Sequence, residues 1–97
     1  MNYVNFEWGD MVFLHLGNDM VIPSKEIIGL FDLETTTTTK ETREFLKISE
    51  EEGFVTSVSD EDMPKSFVVT EKKGQSAIYL SPISVTTLKK RINKNKL

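Results

Sequence analysis

Two short apolar runs, Val12-Phe13-Leu14-His15-Leu16 and Met20-Val21-Ile22, flank the turn-forming trio Gly17-Asn18-Asp19. That pattern predicts a β-hairpin. Pro23 ends its second strand, Ser24 is placed to cap one helical turn over Lys25 and Glu26, and Ile27 to Leu33 is a further apolar run suited to a buried strand. The tract Thr35 to Thr39 is β-branched and of low complexity. After it, Thr39 supplies an N-cap and Gly53 a C-terminal stop for a helix that begins at Lys40 and runs through the Glu50-Glu51-Glu52 triplet.

Beyond that helix, Phe54 to Val58 reads as a strand and Ser59-Asp60-Glu61-Asp62 as an exposed acidic turn. A second hairpin is predicted from Phe67 to Thr70, the turn Glu71-Lys72-Lys73-Gly74, and Ser76 to Leu80. Ser81-Pro82 breaks the strand, and Ser84 caps a last helix with Val85, Leu88 and Ile92 on one side. The expected fold class is α+β: a small, mainly antiparallel sheet of about five strands, one central helix across a face, and a short basic C-terminal helix. By period, the expected core is Leu14, Leu16, Ile28, Leu30, Phe45, Val68, Ile78 and Leu88.

Met1 to Asp10 has no strand period and reads as an N-terminal appendage to a single domain spanning 11–97. Glu7-Trp8-Gly9-Asp10 can be encoded by a purine-rich run resembling a ribosome-binding site, which makes Met11 a candidate native start. At 97 residues and 38% hydrophobic composition, the chain has room for one modest core. A domain this small gains from association with copies of itself.

Cysteine is absent, which excludes disulfides, thiolate metal sites, iron–sulfur clusters and a Cys nucleophile, and suits a reducing cytoplasm. The longest apolar runs, Met11 to Leu14 and Ile27 to Phe31, fall far short of the ~20 residues that span a bilayer. No membrane association or signal peptide is expected.

Net charge is −3, but it is unevenly distributed. Residues 1–64 hold 14 acids and 4 bases, a net of −10, while residues 65–97 hold 1 acid and 8 bases, a net of +7. An acidic body with a basic tail suits nucleic-acid contact, and it equally suits docking between copies.

Catalytic chemistry finds little purchase. His15 is the sole histidine, alternates with Leu14 and Leu16, and reads as a structural or interface residue. The carboxylate runs Glu50 to Glu52 and Asp60 to Asp62 lack the alternate spacing and glycine bend of a hard-cation loop and read as solvated turns. Ser66, Ser81 and Ser84 lie outside any nucleophile-elbow context, and the glycines are scattered singly, which leaves no phosphate-cradling loop. Neither an enzyme, nor a cofactor, nor a small-molecule substrate is expected.

The basic residues remain: Lys65 beside Pro64, Lys72-Lys73 at a predicted hairpin tip, Lys89-Lys90-Arg91, and Lys94 and Lys96. Clustered lysines neutralise phosphates and release counterions, which sequence-independent DNA binding requires. With few arginines and no interleaved aromatics, base-specific readout is poorly supported. The competing reading is a solvated helix face and a frayed tail.

Four co-ordered segments resemble a known family: Phe13-Leu14-His15-Leu16-Gly17-Asn18-Asp19; Ile27-Ile28-Gly29-Leu30-Phe31-Asp32; Pro64-Lys65-Ser66-Phe67-Val68-Val69-Thr70; and Tyr79-Leu80-Ser81-Pro82-Ile83-Ser84 running on to Arg91. They resemble the RemA/RemB family of extracellular matrix (biofilm) regulatory proteins, RemB more than RemA, from Met11 to about Ile92. The resemblance implies a bacterial transcriptional regulator, assembled as a ring-shaped homo-oligomer, that binds duplex DNA. It also implies a departure. RemA carries a pair of arginines tied to DNA binding shortly before its Val-rich strand, where this chain has Asp62-Met63 ahead of Pro64-Lys65.

The expected contact surface for DNA or an acidic partner is therefore Lys65, Lys89, Lys90 and Arg91. The alternative is a self-associating interaction module in which the basic segment docks on the acidic body of a neighbouring copy and DNA is never touched.

Overall fold

The computed structural model describes residues 12–95, with side chains as far as Ile92. The proposed appendage Met1 to Asp10 and the candidate start Met11 lie outside the described residues, as do the side chains of Lys94 and Lys96. In chain order the elements are β1 (Phe13–Gly17), β2 (Met20–Pro23), a 3-10 turn (Ser24–Glu26), β3 (Ile27–Asp32), α1 (Leu33–Thr36), α2 (Lys40–Glu51), β4 (Val55–Ser57), β5 (Ser66–Lys72), β6 (Gln75–Ser81) and α3 (Val85–Asn95). The α+β class holds. In place of one sheet of about five strands there are two: the β1–β2 hairpin, and a four-stranded sheet ordered β3-β5-β6-β4. Within the larger sheet β4 runs parallel to β6 and the other pairs are antiparallel.

Local chemistry accounts for most boundaries. The β5–β6 hairpin closes through Lys73 (φ 52°) and Gly74 (φ 82°), the two positive-φ positions of a turn whose twist matches the strands it joins. Thr39 caps α2 by accepting from the Thr42 amide, and Ser84 caps α3 by accepting from the Thr87 amide at 3.2 Å. Ser24 departs from its predicted role. Pro23 occupies the cap position without a side-chain bond, and the Ser24 hydroxyl is buried without a hydrogen-bond partner. The threonine tract folds into α1 and the turn after it because Asp32 accepts from the Thr35 amide while the hydroxyls of Thr36, Thr37 and Thr38 donate to carbonyls three or four residues back.

Strand alternation divides the larger sheet into two faces. One face carries Val68 and Tyr79, which are register partners, together with Leu30. These meet Leu14, Leu16 and Ile22 from the hairpin and Leu88 and Ile92 from α3, so hairpin and C-terminal helix together close the principal core. The other face carries Phe31, Phe67, Val69, Ile78 and Leu80 beneath α2. Here coverage is thin: Leu46 is only half-buried and Ser49 is the one buried residue of α2. Of the expected core, Leu14, Leu16, Val68, Ile78 and Leu88 are buried and Leu30 packs against the cluster. Ile28 and Phe45 are not core. Ile28 sits by a bulge in the edge strand β3, and Phe45 projects from the flank of α2, so both stay largely exposed.

Candidate functional site

Lys65 stands immediately before β5, and its backbone is fixed on both sides. Its amide donates to the Ser81 carbonyl at 2.8 Å, and its carbonyl accepts from the Leu33 amide at 3.0 Å. Its side chain is exposed. The next residue, buried Ser66, donates from Oγ to the Ile83 carbonyl at 2.7 Å, which ties this end of the sheet to the lead-in of α3. Lys65 and the start of α3 thus share one end of the molecule.

Along α3, Leu88 turns fully into the core, so its neighbours Lys89 and Lys90 project outward and are exposed. At the helical rise, Lys89 lies about 7 Å along the axis from the Ser84 cap. No salt bridge engages Lys65, Lys89 or Lys90 among the described residues. Lys72, at the far hairpin tip, is instead 4.0 Å from Glu26.

Arg91 differs from its neighbours. Its guanidinium turns back onto β1, donating from Nη1 to the His15 carbonyl at 2.9 Å and approaching His15 Nδ1 at 3.5 Å. His15 Nε2 in turn lies 2.6 Å from the Asn18 carbonyl, and Asn18 Nδ2 donates to the Val58 carbonyl at 2.9 Å. A chain of polar contacts therefore runs from α3 through the hairpin to the segment after β4. Of the four basic positions expected to form one surface, Lys65, Lys89 and Lys90 are presented to solvent and Arg91 is committed to an internal contact. Charge at position 91 was visible in the sequence; the direction of its side chain was not.

The acidic turn ahead of Lys65 is built around Ser59, whose Oγ accepts from the amides of Glu61 and Asp62 at 3.3 and 3.1 Å and donates to Asp62 Oδ2 at 3.3 Å. Asp62 is therefore held in place, and Met63 beside it is the most exposed large apolar side chain described. Among the described residues, no three His, Cys, Asp or Glu side chains gather as metal ligands would, and no helix is long and apolar enough to cross a membrane.

The RemA-like family, described as "Extracellular matrix regulatory protein A-like", matches residues 13–92, from the first strand into the last helix. The chain is also 40% identical over 80 residues to "Extracellular matrix regulatory protein B" of Bacillus subtilis (strain 168), covering 82% of this chain and 89% of that protein. The chain belongs to the RemA/RemB family of extracellular matrix regulatory proteins. The matched span takes in every element but the last three residues of α3, and all three outward lysines. The positions of the Arg91–His15 contact and of the acidic turn at Ser59 to Asp62 fall within that span.

Proposed function

We propose that this RemB-type chain is a non-enzymatic, self-associating cytoplasmic regulator of transcription that grips duplex DNA through phosphates, with Lys65, Lys89 and Lys90 as the contacting side chains. The observation that carries the reading is the outward, unpaired presentation of these three lysines on well-anchored backbone at one end of the fold. A lysine already held by a carboxylate gains little from a phosphate, whereas an unpaired one releases counterions on contact. Asp62 lowers the local potential beside Lys65, so each subunit binds weakly and grip comes from several subunits acting on one duplex. Readout of bases is not part of this reading, because both described arginines already spend an Nη1 donor on a backbone carbonyl, Arg91 on His15 and Arg43 on Thr37.

The test is size-exclusion chromatography with light scattering, with and without duplex DNA, across about 50–300 mM salt. A multi-subunit particle that takes up DNA and loses it steeply as salt rises is the expected result. A stable particle that ignores DNA at the lowest salt refutes the DNA half and leaves the interaction module. The exposed apolar surface on α2 is the specific observation that favours self-association under either outcome.

A further inference from the structure

Three phenylalanines from three elements meet in the groove between α2 and the β3 edge of the larger sheet, which has a volume of about 410 Å³. Phe31 comes from β3, Phe67 from β5 and Phe45 from α2. Phe67 is buried at the floor, whereas Phe31 and Phe45 are 38% and 48% exposed. Phe31 stacks on Phe67 with ring centroids 4.9 Å apart and planes 18° apart. Its ring also lies against Gly29, where a Cβ would fall 2.6 Å from Phe31 Cε2 and 2.7 Å from Cζ. The Phe31 ring is thus held by a stacking partner and by a glycine that leaves room for it.

One carboxylate joins the rings. Glu41 lines the same groove one helical turn before Phe45, and no salt bridge engages it among the described residues. The rest of the lining is aliphatic or hydroxyl-bearing, and no basic side chain enters it. The basic residues of α2 lie elsewhere. Arg43 and Lys47 line a separate groove with Leu33 and Val55. Lys40, the nearest base in the chain, sits about 100° around the helix from Glu41.

Aromatic faces carry negative partial charge and attract cations, and a carboxylate beside them adds to that attraction. A metal ion or a bare ammonium gains little here, because a single carboxylate does not replace its shell of water. A methylated ammonium differs, since its charge is spread beneath an apolar surface that the rings can cover. We propose that this groove binds a small organic cation of the quaternary or tertiary ammonium class, its methyl groups against Phe31 and Phe45 and its charge balanced by Glu41. The site stands on its own geometry and is independent of the DNA reading above.

Saturation-transfer difference NMR on the full-length chain tests it, with choline chloride as the probe and sodium chloride holding the ionic strength constant. The comparison ligand is 3,3-dimethylbutan-1-ol, which has the shape of choline with carbon in place of the charged nitrogen. Choline methyl protons are expected to saturate with a millimolar Kd, and the neutral alcohol to bind at least about tenfold more weakly. Phe45→Leu removes one ring and Glu41→Gln removes the charge at equal size; each is expected to weaken choline binding about two- to fivefold. Gly29→Ala displaces the Phe31 ring and is expected to act in the same sense. Glu51→Gln removes an exposed carboxylate of α2 outside the groove and is expected to leave binding unchanged. Far-UV circular dichroism checks folding, and the variants at exposed Phe45 and Glu41 decide the matter if Gly29→Ala fails it. Absence of a saturable choline signal overturns the inference. So does a neutral alcohol that binds as tightly as choline, which marks an apolar groove without preference for charge. A loss with Glu51→Gln equal to that with Glu41→Gln marks a diffuse ion atmosphere and overturns it as well.

Discussion

Arg91 on α3 and His15 on β1, 76 positions apart in the chain, are joined by a 2.9 Å hydrogen bond from the guanidinium to the histidine's backbone carbonyl. The same guanidinium lies 3.5 Å from His15 Nδ1 while Nε2 faces the Asn18 carbonyl. This arrangement is satisfied by the tautomer with the proton on Nε2, which donates to Asn18 and leaves Nδ1 as an acceptor toward Arg91. The contact joins the last helix to the first strand, and the hairpin so held covers the principal core.

Arg91→Ala removes that link. Because the contact is near the surface, the expected loss is about 1 kcal/mol, read as a lower urea midpoint with an unchanged slope. Affinity for DNA at fixed salt is expected to change little once the variant is folded, which separates Arg91 from Lys89 and Lys90 in the same helix. A large loss of DNA binding in a normally stable Arg91→Ala protein refutes this assignment.

Ser81 is fully buried and doubly engaged, donating from Oγ to the Leu16 carbonyl at 2.6 Å and accepting from the Ile83 amide at 3.0 Å. Ser81→Ala leaves a buried carbonyl and a part-buried amide without these partners, so the expected cost is about 1–3 kcal/mol. Ser81→Thr keeps the hydroxyl but adds a methyl to a filled site, and is expected to recover only part of the loss. Denaturant unfolding of the two variants decides it. Equal stability of wild type and Ser81→Ala shows that the bond contributes nothing.

The elements legible in the sequence were those set by short-range chemistry. Gly17-Asn18-Asp19, the Thr39 and Ser84 caps and the stop at Gly53 each act within a few residues and appear where the pattern placed them, and the turn expected over Glu71 to Gly74 is narrowed to Lys73-Gly74, with Glu71 and Lys72 paired in β5. Ile28 and Phe45 show where that reading ends. Periodicity marks which face of an element is apolar, but whether another layer covers it depends on how much chain is left to build one, and one 12-residue helix does not cover this sheet face. The geometry of the basic cluster was not legible for a related reason. A count of charges cannot distinguish Lys89, which projects outward beside buried Leu88, from Arg91, half a turn further on, which folds back onto β1.

Gly17 closes the β1–β2 hairpin with φ at +124°, and a Cβ there would lie 3.2 Å from Pro82 Cγ and 3.4 Å from Val58 Cγ1. Gly17→Ala therefore combines backbone strain with a tight contact at the junction of hairpin and sheet. Gly53, at φ +83°, has nothing within 4 Å of such an atom, so Gly53→Ala incurs backbone strain alone. The expected costs are about 1–3 kcal/mol from strain in either case, with an added steric penalty only at Gly17. Thermal unfolding should rank Gly17→Ala below Gly53→Ala; the reverse order contradicts the close approach seen here.

The three outward lysines make separable contributions if they meet phosphates. Each phosphate contact adds about 0.9 to the slope of log affinity against log salt for duplex DNA, so removing one lysine flattens that slope by about this amount for every subunit engaged. Lys65→Ala, Lys89→Ala and Lys90→Ala are expected to weaken binding equally for unrelated duplex sequences, because phosphate contacts carry no base information. Asp62→Asn is expected to act in the opposite sense, strengthening binding at low salt by removing a negative charge close to Lys65 in the chain. If the lysines matter and Asp62→Asn has no effect, Lys65 reaches the phosphate from a direction the acidic turn does not face. If Lys65→Ala alone leaves the slope unchanged, the DNA surface is confined to α3.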